Sequence, residues 1–503
     1  MNNTVKVIFN TAILYFKIVV SMAISLVTVP LVLRALGESD YGLYNLIAGV
    51  ISMLSFLNAS MSVSTQRYMS VAIGENNQEN NNTILNTSIM LHLIIGVLIV
   101  VLFEIAAIFL FHGKLNIADD RLFASKLVYQ FLVVSTFFTV LSVPFNAALN
   151  AKENMLIFSV IGIVESLLKL GLAYCLISYK DDRLILYGLG ISLITLLSTF
   201  LSWTAVKILY KEFRIKPMRY FKRKLFFEMC GFASWNTLGA VAMIGRNQGI
   251  AIIINLFFGT VANAAYGIAN QINGVLGYFS STFQKALNPQ LMQSEGMRDR
   301  NRLIRISMIS SKFSVMVLAL FAIPLIIEMP YVLTLWLKDV PDNTVRLSQL
   351  VLLLSLVYQY SVGLMSAIQA VGKIRSYFLI MSGLILLNLP ICYFVFSKGY
   401  PIHYAIWIFI IVEFVSLCAR LYMSKELVGV CPTEYINTVI LPTLSVIIPS
   451  LLLSLIPHCL LDESFLRLAV VSITYLILFS VLMWFRILDS QQRRKLINKI
   501  KRK

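Results

Sequence analysis

The chain has 503 residues, 58% of them apolar, and a formal net charge of +18. Soluble globular chains are about 45–50% apolar, so this composition, with a mean hydropathy of +0.81, excludes an ordinary soluble domain. The excess falls in stretches of about 20–30 residues parted by short polar breaks, the length that crosses a hydrocarbon core of about 30 Å; a barrel would alternate over roughly ten residues instead.

The pattern predicts an all-α polytopic membrane protein with about 14 transmembrane helices, centred near residues 21, 55, 98, 134, 165, 195, 243, 275, 321, 357, 386, 412, 446 and 475. The first, from about Phe9 to Leu33, is too long for the apolar region of a signal peptide and should stay as a membrane helix. With the N-terminus inside, the inner loops and tails hold 29 of the 42 Lys and Arg residues. Cytoplasmic loops carry such an excess, so both termini are expected in the cytoplasm.

Between the second and third spans, "ENNQENNN", Glu75 to Asn82, reads as a solvated connector. Between the sixth and seventh lies "KILYKEFRIKPMRYFKRK", Lys207 to Lys224, and the chain ends in "RRKLINKIKRK", Arg493 to Lys503. Such clusters attract anionic lipid headgroups by about 1 kcal/mol per basic residue. The charge therefore reads as a topology and lipid signal, with no nucleic-acid partner.

The second span begins "YGLYNLIAGV", Tyr41 to Val50, and the eighth begins "YGIANQINGV", Tyr266 to Val275. From the Tyr-Gly pair to Ser55 and Ser280, seven of fifteen positions are identical. Each copy starts the second span of a group of six. The repeat predicts two six-helix lobes related by a pseudo-two-fold along the membrane normal, as in parallel-repeat transporters. The expected divisions are an N-terminal lobe over 1–210, a basic linker over 211–225 and a second lobe over 226–428. Two additional helices over 429–488 and a basic tail over 489–503 complete the chain.

Charged side chains inside spans are rare and usually face a cavity or a partner. Lys17, Lys169 and Arg246 lie near mid-depth, with Glu104, Glu165, Glu328 and Glu413 as acidic companions. Lys169 follows Glu165 by four residues, so the pair shares a helix face and serves either structure or transport. Lys17 belongs to the run Asn10, Lys17, Ser21, Ser25, Thr28, which keeps one helical stripe; it either lines a cavity or snorkels. Arg246 sits in "GRNQG" with Asn247, and the eighth span carries Asn263, Asn270 and Gln284. Eight of the 24 glycines fall between Gly231 and Gly277, which marks bending helices or tight packing. Pro144, Pro324 and Pro330 predict further bends. Glu328 is read as a gate-side ion pair or a coupling residue, and the isolated Glu413 as a protonation site. A cavity whose unpaired mid-membrane charges are mainly cationic predicts an anionic cargo group, since low dielectric strengthens the attraction and Arg presents a planar fork to phosphate.

"LVLRALGESDYGLYNLIAGVISMLSFLNASMSVSTQRYMS", Leu31 to Ser70, with its Leu-Gly-x-x-x-Tyr-Gly turn, resembles the start of the polysaccharide-export flippases of the multidrug/oligosaccharidyl-lipid/polysaccharide (MOP) superfamily. "PLIIEMPYVLTLWLKD", Pro324 to Asp339, is similar to the ninth helix of that family. The resemblance implies flipping of an undecaprenyl-diphosphate-linked oligosaccharide across a bacterial inner membrane, with polysaccharide polymerase and glycosyltransferases as partners. It also implies a cationic cavity in which Lys17, Arg67 and Arg246 bind diphosphate or acidic sugars; Arg67 and Lys285, near inner span ends, are equally read as topogenic.

Two other functions compete. A multidrug or cation antiporter of the same fold tends to carry an acidic residue in its first helix, where this chain has Lys17. A polymerase or glycosyltransferase needs a positioned acid, base or metal site; the outer loops are short and hold no paired-carboxylate motif. "AVGKIRS", Ala370 to Ser376, lacks the spacing of a phosphate-binding loop. The six cysteines are scattered without metal-ligand spacing. No enzyme activity, metal or cofactor is expected.

Overall fold

The computed structural model describes residues 3–52, 55–111 and 117–487. Among them there is no strand. The first half of the chain forms α1 (Asn3–Ser52), α2 (Ser55–Gly74), α3 (Gln78–Phe111), α4 (Leu122–Ala151), α5 (Met155–Ser178), α6 (Arg183–Leu209) and the short α7 (Pro217–Tyr220). The long α8 (Arg223–Gly296) follows, then α9 (Arg300–Ile327), α10 (Met329–Leu337), α11 (Thr344–Val371), α12 (Arg375–Ser397) and α13 (Tyr404–Leu427). The last elements are α14 (Pro432–Tyr435), a π-helical turn over Ile436–Ile440, α15 (Leu441–Leu460) and α16 (Phe465–Arg486). The expected basic tail lies outside the described residues.

Twelve helical tracts among the described residues are long and apolar enough to cross a membrane. Two of them, α1 and α8, are interrupted, at Gly37 (φ 79°, ψ 167°) and at Gly259 (φ 80°, ψ −172°). Each interruption parts two spans, which accounts for the expected fourteen. These two backbone conformations are nearly the same, and only glycine adopts them without strain. Each precedes one copy of the repeated Tyr-Gly phrase by a few residues. The repeat in sequence is therefore also a repeat of hinge geometry.

The chain forms two compact units. One comprises Met1–Ala240 with Met292–Arg298, the other Val241–Leu291 with Asp299–Lys503. In the first unit α4 is central, packing on α2, α3 and α6. In the second, α11 holds that place between α9 and α13. Both are the fourth span of their six-span groups, and 56% and 67% of their most apolar windows are buried, against 6% for α1. Lipid-facing helices can leave apolar residues exposed; central ones cannot.

Helix crossings in both units rely on small residues, which let backbones approach closely. A Cβ at Gly363 of α11 would lie 2.0 Å from the Ser307 carbonyl oxygen of α9. Ser311 of α9 donates to the Tyr360 carbonyl at 3.0 Å, and the Tyr435 hydroxyl donates to the same oxygen. In the first unit, a Cβ at Gly74 would lie 2.2 Å from the Gln293 carbonyl oxygen.

Carboxylates paired with guanidiniums fasten two further junctions. Arg121 forks between Asp40, beside the Gly37 hinge, and Asp182, the N-cap of α6, reaching Asp182 at 2.8 Å. Glu328 separates α9 from α10 and is fully buried. Its carboxylate meets His458 Nδ1 at 2.8 Å and Arg467 Nη2 at 3.0 Å, tying that junction to α15 and α16.

The Asn-rich segment is a solvated connector over its first part, where Glu75 to Glu79 are exposed, but not over its last. Only its first residues turn, and α3 starts at Gln78 with Asn81, Asn82 and Asn86 buried. The reason is local: the sixth-to-seventh span linker lies against α3 and satisfies the side chains of Asn82 and Asn86. Asn82 Oδ1 accepts from the Arg214 N–H at 2.8 Å, and Asn86 bridges the Arg214 carbonyl and the Lys216 N–H, each at 2.7 Å.

Candidate cationic site

In the first unit the polar stripe of α1 meets α5. The Lys17 ammonium lies 4.1 Å from the centre of the Phe158 ring, a cation–π distance. Its stem fills a notch at Gly162, where a Cβ would sit 2.4 Å from Lys17 Cε. One turn on, Ser166 donates to Ser21 at 3.1 Å, continuing the seam. Glycine at 162 thus lets a cation pack against the neighbouring helix.

Other expected residues in this unit have definite companions. Lys169 and Glu165 pair at 2.8 Å, and Glu165 also accepts from Ser198 of α6 at 3.1 Å. They neutralise each other. Asn10 is no cavity-lining residue: it is buried and donates to the Glu153 carbonyl at 3.0 Å. That bond braces the left-handed Glu153 (φ 57°) in the turn between α4 and α5, while Lys6 reaches the Glu153 carboxylate at 3.4 Å. Arg67 stacks near Tyr68 and Phe232, 4.8 and 5.0 Å from their ring centres, within the fields of Glu228 and Glu295.

The second unit holds the denser cluster. Arg246 of α8 lies 5.0 Å from the centre of the Phe409 ring and donates to the Asn247 side chain at 3.0 Å. Glu413, one turn beyond Phe409 on α13, acts on the same guanidinium. Glu413 is not isolated, as its span suggested. It is ion-paired with Arg420, two turns along α13, and both are nearly fully buried. Arg420 also donates to Ser361 at 2.8 Å and to the Tyr377 hydroxyl at 3.2 Å. Its guanidinium sits 5.8 Å from the Tyr358 ring centre. Arg420 is thus the ion-pair partner of Glu413, and Arg246 feels the same carboxylate across a cluster of tyrosines and a phenylalanine. The cluster keeps one excess positive charge where the dielectric is low, so it strengthens attraction for an anion.

The polar residues of α8 are dispersed in role. Asn263 is half-buried. Asn270 is exposed and donates back to the Tyr266 carbonyl at 2.9 Å. Gln284 donates to Ser366 of α11 at 2.9 Å, and Lys285 is exposed. Their seven-residue spacing marks one helix face without making one site. Arg420, Tyr358 and Tyr377 escaped the sequence reading. Arg420 passes for a topogenic charge at an inner span end, although its distance of seven from Glu413 places both on one face.

Residues 7–295 match the family model described as polysaccharide biosynthesis protein. No curated protein matches the chain in sequence. Solved structures match in fold. A MATE structure in complex with MaD3S superposes with a TM-score of 0.72 at 14% identity, over 85% of this chain and 97% of the other. An outward-facing multidrug resistance MATE family transporter of the MOP superfamily gives 0.72 at 15% identity, over 85% and 96%. A MOP superfamily transporter from Pyrococcus furiosus, described as having a binding pocket of reverse polarity that suggests a different function, gives 0.71 at 14% identity over 85% and 96%. At these identities the likeness is one of fold.

Proposed function

Because the chain belongs to the polysaccharide biosynthesis protein family and folds as MOP-superfamily transporters do, we propose that it is a flippase for lipid-linked oligosaccharides. The cargo is an oligosaccharide on a polyprenyl diphosphate, undecaprenyl diphosphate in a bacterial inner membrane, moved from the cytoplasmic to the outer face by alternating access. The observation that carries this reading is the cationic excess of the Arg246–Glu413–Arg420 cluster at membrane depth. Lys17 on its Gly162 seat supplies a second cation in the other unit.

The protein needs no covalent step for this task. It must offer the diphosphate an environment that offsets lost hydration, and it must lose that hold when the conformation changes. Guanidiniums suit the first requirement because they present planar donors to phosphate oxygens. The excess must stay modest, since a cargo bound equally well in both states gains nothing from tighter binding. An inside-negative membrane potential favours outward movement of the anion by about 2.3 kcal/mol per charge per 100 mV.

The competing reading is a multidrug or cation antiporter, which the fold likeness to MATE transporters favours. The Pyrococcus furiosus protein, with its reversed pocket polarity, gives that fold a precedent for a different cargo. Deletion of the gene separates the two. Loss of surface polysaccharide, restored by the wild type but not by Arg246→Ala at equal protein level, supports the flippase. Normal polysaccharide together with sensitivity to cationic dyes supports the antiporter.

A further inference from the structure

The linker between the sixth and seventh spans carries eight basic residues and one acidic residue between Lys207 and Lys224. Charge of this kind on a loose tether would be spread over many conformations. Here the tether is fixed. The Phe213 side chain is buried in the core with Met69, Leu85 and Leu149. Its backbone is held by the side chains of α3: Gln78 donates to the Glu212 carbonyl at 2.7 Å, Asn82 and Asn86 bind residues 214 and 216, and Thr87 accepts from the Lys222 N–H at 3.3 Å. These partners all come from α3 and replace the hydrogen bonds that a strand would give.

Fixing the backbone decides where the side chains go. Lys216, Arg219, Lys222 and Arg223 are exposed. So are two apolar residues among them, Met218 at 88% and Phe221 at 38%. The lone acid is spent within the unit: partial burial would raise the Glu212 carboxyl, but the Lys152 ammonium at 2.9 Å outweighs this and holds it below its ordinary value. An ordered surface with cations around an apolar tip, beside the ends of membrane helices, matches the headgroup region of a bilayer in charge and polarity.

We propose that the linker is a preformed docking surface for anionic phospholipid, built by the asparagine side chains of α3. Its cations bind lipid phosphates and Met218 enters the acyl boundary. The surface acts on the leaflet it faces and is independent of which cargo the transporter carries. Its selectivity comes from fixed geometry as well as charge, because ordering the backbone beforehand removes an entropic cost of binding.

The test is native mass spectrometry of the full-length protein in neutral detergent, titrated with phosphatidylglycerol or phosphatidylcholine. The wild type should retain phosphatidylglycerol at least tenfold better. Lys216→Gln/Arg219→Gln/Lys222→Gln should abolish that preference, and Met218→Asp should weaken retention severalfold. Asn82→Ala/Asn86→Ala, which leaves every charge in place, should also weaken it severalfold. Gln78→Ala and Thr87→Val remove single bonds and serve if the double variant fails to fold. No preference in the wild type, or full preference in the charge-neutralised set, overturns the proposal. Full preference in folded variants of the α3 side chains overturns the preformed surface and leaves only net charge.

Discussion

Glu413 and Arg420 carry the sharpest consequence at the scale of single residues. Removing one member of a buried pair strands the other, at a cost of about 3–5 kcal/mol. Glu413→Gln should therefore lower the melting temperature of the purified protein strongly, whereas Glu413→Leu/Arg420→Met, which removes both charges, should restore most of it. A thermal shift assay in detergent distinguishes them. Gly162→Ala is the opposite case, because its Cβ meets only the end of the Lys17 side chain. A flexible chain can move aside, so stability should change by less than about 1 kcal/mol. Export should fall if Lys17 binds cargo from that seat, and Lys17→Ala should show the same defect. The sequence displayed Lys17, Arg246 and Glu413 through their rarity inside spans. It hid Arg420, because a charge near a span end has an adequate explanation in topology alone.

Among elements, the hinges at Gly37 and Gly259 and the crossing at Gly363 limit substitution most tightly. A side chain at either hinge costs about 1–3 kcal/mol, so Gly37→Ala and Gly259→Ala should each destabilise the protein measurably. At Gly363 the obstacle is the Ser307 carbonyl, part of the backbone of α9, which cannot yield as a side chain does. Gly363→Ala should part α9 from α11 and lower stability by about 1–3 kcal/mol. The helices themselves were legible because apolar length alone requires them in a membrane. The repeated Tyr-Gly phrase located the second span of each group, with its hinge glycine a few residues upstream. The asparagines of α3 misled for a physical reason. Asparagine-rich sequence usually means solvent, but a membrane protein can bury it where a long loop has unpaired backbone groups to satisfy.

For the molecule as a whole, the count of spans, the helical class and the family were legible in hydropathy and in two short motifs. The cargo was not, because sugars are contacted by dispersed polar side chains with no fixed spacing. What remains physically decisive is charge. A transporter whose membrane-depth clusters retain positive charge should move an anionic headgroup and reject cations. The most direct measurement places the purified protein in liposomes with a fluorescent polyprenyl-diphosphate-linked oligosaccharide and follows its transfer between leaflets. Transfer should exceed that in empty liposomes, and Arg246→Ala should slow it at least tenfold while leaving the fold intact. Transfer unaffected by Arg246→Ala, or no transfer of the lipid alongside transport of a cationic dye, would contradict the assignment.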